Sequence, residues 1–254
     1  MAGHRHNHPQ GLALRPHTES VLRHGLFLLV WAWSALALCT PHNHKPAVVL
    51  APGYAPLAFS PPAPGSYVLP SMGNAADGDV IDSRGNTTRL FEFLGEKPTI
   101  LSFIFTTCDD VNGCPLATYV MRGVHDALQS DPKTANKVRL VSFSFDPLFD
   151  TPEVIAAYGA QFRDADADWQ FLTTEGPESL DPILRAYDQW VIRDYDKNGE
   201  YRGTMSHILR VFLIDKERRI RNIYSTSFLH ADTVVNDVRS LIIENNAPTA
   251  VVGR

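Results

Sequence analysis

"TTCDDVNGCPLA", Thr106 to Ala117, carries two of the chain's three cysteines, Cys108 and Cys114, with five residues between them and Pro115 directly after the second. Such a pair can be a structural staple, a redox couple or a metal site. Its surroundings decide which. Upstream, "PTILSFIFTT" (Pro98–Thr107) is a mostly apolar run. Its length suits a strand buried on both faces of a sheet. Downstream, Leu116, Val120, Val124 and Leu128 recur at helical spacing. Pro115 is then expected at the first helical position, where its missing N–H costs nothing, with Cys114 as the N-cap.

Working outward, "DVIDSRGNTTRL" (Asp79–Leu90) reads as a hairpin turning at "SRGN". "KVRLVSFSFD" (Lys137–Asp146) is the next strand, and "DTPEVIAAYGAQF" (Asp150–Phe162) opens a helix. "WQFLTT" is a short strand, and Pro177–Tyr187 is helical. "HILRVFLID" and "IRNIYST" are strands joined by the charged turn "KERR", and "DTVVNDVRSLIIEN" (Asp232–Asn245) is a closing amphipathic helix. "DYDKNGE" (Asp194–Glu200) begins like a calcium loop but lacks the closing glutamate and flanking helices, so it reads as a solvated loop. Strands alternating with helices imply an α/β fold, with a central mixed sheet flanked by helices and an N-terminal β-hairpin extension. A cysteine pair where the first buried strand meets its helix makes that fold thioredoxin-like.

A helix N-terminus favours thiolate over thiol at Cys114, and thiolate is both the nucleophile of disulfide exchange and the form that binds metal. The neighbouring Asp109 and Asp110 oppose that ionisation. The spacer permits a disulfide if it folds back so that the Cα atoms come within about 4.4–6.8 Å. The same closeness lets both sulfurs hold one soft ion. Two thiolates and one imidazole form a set that copper accepts, Cu(I) above all. Outside the N-terminal region the candidate imidazoles are His125, His207 and His230. His125 lies too far along the helix from Cys114, and His230 starts the last helix. His207 sits in "GTMSHILRVFLID", where a polar loop meets an apolar strand. In a thioredoxin-like sheet such a loop lies beside the cysteine loop.

Composition is that of an ordinary globular protein, 44% apolar and 20% charged, with a net charge of −5. No basic stripe is present, which argues against nucleic acid as a partner. Arg15, Arg23 and His24 precede "LFLLVWAWSALALC" (Leu26–Cys39), an apolar run of 14 residues. It is short for a membrane span of about 20 residues and fits a signal peptide. Residues 1–39 are expected to be a signal peptide cut after Ala37, or else an uncleaved membrane anchor. Residues 40–65, rich in proline, are expected to be an extended linker, and 66–254 the domain. Either reading of the leader puts the domain in the periplasm or elsewhere outside the cytoplasm.

With "LSFIFTTC", the Cys114–Pro115 pair, "VSFSFDPLFDTPEVIAAYGAQF" and "SHILRVFLID" in place, the chain resembles the Sco/SenC family of thioredoxin-like copper proteins over most of 66–246. The resemblance implies Cys108, Cys114 and His207 as the ligands of a copper ion. It implies a periplasmic or membrane-tethered protein that delivers copper to the binuclear centre of cytochrome c oxidase, or that reduces the cysteines of that centre. The expected partner is thus a copper-receiving subunit of a respiratory oxidase, or another redox partner. As an alternative to a copper chaperone, the protein is a thiol–disulfide oxidoreductase in which Cys108 and Cys114 are the catalytic pair. The family motif has three residues between its cysteines, whereas this chain has five.

Overall fold

The computed structural model describes residues 47–164 and 167–246. The expected leader lies outside them, and among the described residues no helix is long and apolar enough to cross a membrane.

Ten strands form in chain order: β1 (Gly73–Asn74), β2 (Asp79–Asp82), β3 (Thr87–Arg89), β4 (Thr99–Ile104), β5 (Arg139–Ser144), β6 (Trp169–Thr173), β7 (Val191–Tyr195), β8 (Tyr201–His207), β9 (Arg210–Ile214) and β10 (Arg219–Ser225). Four α-helices accompany them: α1 (Cys114–Gln129), α2 (Pro152–Gly159), α3 (Pro177–Ala186) and α4 (Ala231–Asn246). Eight strands make one mixed sheet in the order β1-β10-β9-β4-β5-β6-β2-β3, while β7 and β8 pair only with each other. The β4–α1–β5 and β5–α2–β6 units are parallel crossovers, and the other pairings are antiparallel.

All six residues of β4 are buried, as a strand covered on both faces must be. Alternation along the strands sorts the core into two layers. Ile100, Leu140, Trp169, Phe171, Val211 and Leu213 face α1 and α4, and meet Leu116, Val120, Val124, Val234 and Val238. Leu101, Phe103, Val141, Phe143, Phe212 and Ile214 face the other way, toward Leu180, Ile183 and Leu184 of α3. Each such fully buried side chain contributes roughly 1.5–3 kcal/mol relative to exposure. The hairpin of β2 and β3 turns at Ser83–Asn86, closed by Asp82 N–H to the Asn86 carbonyl at 3.0 Å.

Three expectations are corrected. Cys114 is the first residue of α1 and Gly113 the N-cap, so the helix starts one residue early. Pro115 still falls in the first turn, where it costs no hydrogen bond. "DYDKNGE" is not a free loop but the tip of the β7–β8 hairpin, with Asp196 N–H donating to the Glu200 carbonyl at 2.9 Å. His207 accordingly ends a strand. Finally, residues 49–65 lie on the domain: Ala51 and Gly53 are buried, and Ala51 belongs to the core around α1. We call this segment the strap. A methyl group on Gly53 would stand 2.3 Å from the Leu229 carbonyl oxygen, so only glycine allows that approach.

Candidate metal centre

Sheet topology brings the cysteine and histidine segments together. β9 runs antiparallel to β4, pairing Thr99 with Ile214 and Ser102 with Val211. The start of β9 therefore lies at the carboxyl end of β4. Residues just before β9 lie where the chain leaving β4 carries its cysteines.

Cys114 is 1% exposed at the start of α1, and Cys108 is half-buried; both are free thiols. Cys114 Sγ is 3.8 Å from His207 Nε2 and accepts the Phe105 N–H at 3.4 Å. Cys108 packs against the buried cluster that contains Cys114 and lines the same cavity as His207. The three do not yet close into a cage: among the described residues, no group of three or more His, Cys, Asp or Glu is gathered as a finished metal site. His125 and His230 are elsewhere. His125 lies against Trp169, and His230 is bonded to the Ala55 carbonyl at 2.8 Å.

The donor set passes a simple test of fit. Metal–sulfur and metal–nitrogen bonds of about 2.3 and 2.0 Å subtend about 120° when their donors are 3.8 Å apart. Cys114 and His207 therefore suit a shared three-coordinate ion without moving, and Cys108 is the member that must close in.

Protonation follows from the contacts. The neighbouring Cys114 thiol, helped by the nearby backbone N–H groups of Cys114 and Asp110, lowers the Cys108 thiol to about 7 against the pull of burial and of the Asp110 charge. Cys114 is pushed well above the ordinary thiol value by the neighbouring Cys108 and by burial. The helix N-terminus does not prevail at Cys114; the thiolate sits at Cys108. His207 packs against the Phe145 ring at 4.8 Å and the Phe105 ring at 6.0 Å. Burial lowers its basicity, opposed by a hydrogen bond with the Met205 backbone and by Asp110. At neutral pH the imidazole is uncharged, as a metal ligand must be. A cavity of about 350 Å³ opens in front of the centre, lined by Cys108, Asp109, Asp110, Asp194, Thr204 and His207 among others.

Sequence reasoning missed how "DPLFD" serves this site. Asp150, fully buried, accepts from the Thr106 N–H at 3.0 Å and from the Thr106 and Ser144 hydroxyls. It ties the chain entering the cysteine loop to the end of β5. Asp146 pairs with Arg193 of β7 at 2.8 Å and so holds the hairpin that bears His207. Their shared acidic spacing around Pro147 was the available signal.

Burial raises the Asp150 carboxyl above its ordinary value, against the hydrogen bonds from Ser144 and Thr106. A raised value in the folded state means stability that is present below the unfolded value of about 3.9 and lost as pH rises through the folded value. The melting temperature of the protein relative to an Asp150→Asn variant is expected to fall across that window. A difference that stays constant with pH would contradict this.

The model of the SCO1/SenC family matches residues 76–243, more than half of the chain. This chain belongs to the SCO1/SenC family. A SCO1 protein homolog of Bacillus subtilis is 24% identical over 151 residues, 59% of this chain and 73% of the relative. The crystal structure of Arabidopsis thaliana ScoI with copper bound aligns with a TM-score of 0.57 at 22% identity, covering 67% of this chain and 98% of that one. Solution structures of apo Sco1 from Thermus thermophilus align with a TM-score of 0.56 at 26% identity, covering 70% and 95% of the respective chains. The SCO1/SenC fold is thus the thioredoxin-like one expected from the sequence, with its central mixed sheet and flanking helices.

Proposed function

We propose that this SCO1/SenC protein binds one Cu(I) ion through Cys108, Cys114 and His207. It acts outside the cytoplasm and passes the ion to a copper-receiving subunit of a respiratory oxidase. The observation that carries the reading is the 3.8 Å approach of His207 Nε2 to Cys114 Sγ, across 93 residues of sequence. Two soft sulfurs and a neutral imidazole at a cavity mouth match what Cu(I) prefers. The copper-bound plant relative of the same fold is consistent with it.

The test is a titration of the reduced protein with Cu(I) against a coloured chelator. One equivalent held tightly per chain is expected. Absence of tight binding would overturn the reading.

A second reading rests on the split between the thiols. Cys108, lowered to about 7, is the better nucleophile, and Cys114 keeps its proton. In this chemistry the Cys108 thiolate attacks a disulfide of the partner, forms a mixed disulfide and releases a partner thiolate. Cys114 then loses its proton and attacks Cys108 Sγ, releasing the second partner thiolate. The partner gains two electrons, and Cys108–Cys114 closes as a disulfide. Both activities use the same dithiol, so one protein can carry both.

A further inference from the structure

The loop between the two cysteines is fastened to a part of the chain far away in sequence. Asn112 Oδ1 accepts the Ala51 N–H at 2.7 Å, and Asn112 Nδ2 donates to the Val49 carbonyl at 2.8 Å. Next to it, the Tyr54 hydroxyl donates to the Val111 carbonyl. Two neighbouring residues of the spacer are thus held by the strap through three hydrogen bonds.

The strap is itself firmly seated. Gly53 packs between the Leu229 carbonyl and Leu116 and Val120 of α1. The Tyr54 ring lies 5.0 Å from that of Tyr119. His230 is bonded to the Ala55 carbonyl on the far side. None of these anchors involves the cysteine loop, so the strap is a fixed post and the loop is what is tied to it.

The tie reaches the sulfur in short steps. The Asn112 N–H donates to Asp110 Oδ1 at 3.0 Å, and the Gly113 N–H donates to the Asp110 carbonyl at 2.8 Å. Those bonds fold the loop into a tight turn that lies against Cys108. At Gly113 a methyl group would lie 3.3 Å from Cys108 Sγ, so the turn and the sulfur are in close contact. A shift at Asn112 therefore displaces the groups that surround Cys108.

We propose that Asn112 is a positioning residue for the cysteine pair: by fastening the loop to the strap it fixes Cys108 against Cys114 in the dithiol state and raises the reduction potential of the pair. The tie through Asn112 and Tyr54 is seen in the state with both thiols free. Support that is greater in that state than in the disulfide shifts the dithiol–disulfide equilibrium toward dithiol. What a fixed thiol spacing is for rests on the function proposed above; the tie and its effect on the pair do not.

The experiment uses the full chain without copper. The protein disulfide is equilibrated with a small-molecule dithiol, which is oxidised to its cyclic disulfide as Cys108 and Cys114 are reduced. Asn112→Ala is expected to shift the equilibrium about tenfold toward the protein disulfide, a fall of about 30 mV for this two-electron couple. Tyr54→Phe should move it the same way by less. The control is Asn236→Ala, which removes a bond to the Pro62 carbonyl at the other end of the strap. It should leave the equilibrium in place. Equal shifts in Asn112→Ala and Asn236→Ala, or no shift in Asn112→Ala, would overturn the proposal. Because no copper is present, a protein that fails to bind Cu(I) still decides this question.

Discussion

Replacing His207 by alanine is expected to weaken Cu(I) binding at least about a hundredfold. Losing an outer partner of a metal ligand already costs ten- to a hundredfold, and here a donor itself is removed. The imidazole is well prepared for the task. Phe105 and Phe145 hold the ring, and burial keeps it uncharged. Its Nε2 already stands at a ligand–ligand distance from Cys114 Sγ. The same variant should still close the Cys108–Cys114 disulfide, because His207 takes no part in that bond. Copper competition and disulfide formation, measured side by side, therefore separate the two activities. Copper held equally well without His207 would sink the three-ligand site and leave dithiol exchange as the reading.

The second large effect is an asymmetry between the thiols. At pH 7 a thiol of pKa about 7 is half ionised, whereas Cys114, pushed up by the neighbouring Cys108 and by burial, keeps its proton. That favours Cys108. A less basic thiolate is also a weaker nucleophile, which returns only part of that advantage. Access then decides the balance: Cys108 is half-buried, while Cys114 is 1% exposed beneath the loop. In the reduced, metal-free protein, iodoacetamide should label Cys108 at least about ten times faster than Cys114. Mass spectrometry of the labelled peptides reads the ratio directly. Equal rates, or faster labelling of Cys114, would reverse the roles assigned to the pair.

Much of this was legible in the sequence, for definite reasons. β4 announced itself because a strand covered on both faces must be apolar for most of its length. α1 did so because one face of a helix must be apolar at a spacing of three to four residues. The join between them located the cysteines, and the apolar run of β9 put His207 beside them. The β7–β8 hairpin escaped because nothing forces a pattern on it: Ile192, Tyr195 and Tyr201 are exposed, and its two strands pair only with each other. The strap escaped because its prolines hide the helix and strand periods, while its contacts are single close approaches such as Gly53 on Leu229. The proton at Cys114 was beyond reach for another reason. Helix start and acidic neighbours were visible from sequence, but the deciding partner was the other thiol, whose proximity only the folded loop creates.

One consequence follows from the separateness of the β7–β8 hairpin. Two of the three proposed donors sit where the main sheet meets its first helix, whereas the third rides on a ribbon moored by side chains, the Asp146–Arg193 pair among them. Cargo gripped by two bodies can be unloaded by displacing one. A small swing of the ribbon would withdraw the imidazole without disturbing a strand of the large sheet. The ion would then be left on sulfur alone, at an open mouth, where an incoming acceptor can complete its coordination. Hand-over would in that case demand a hinge rather than an unfolding.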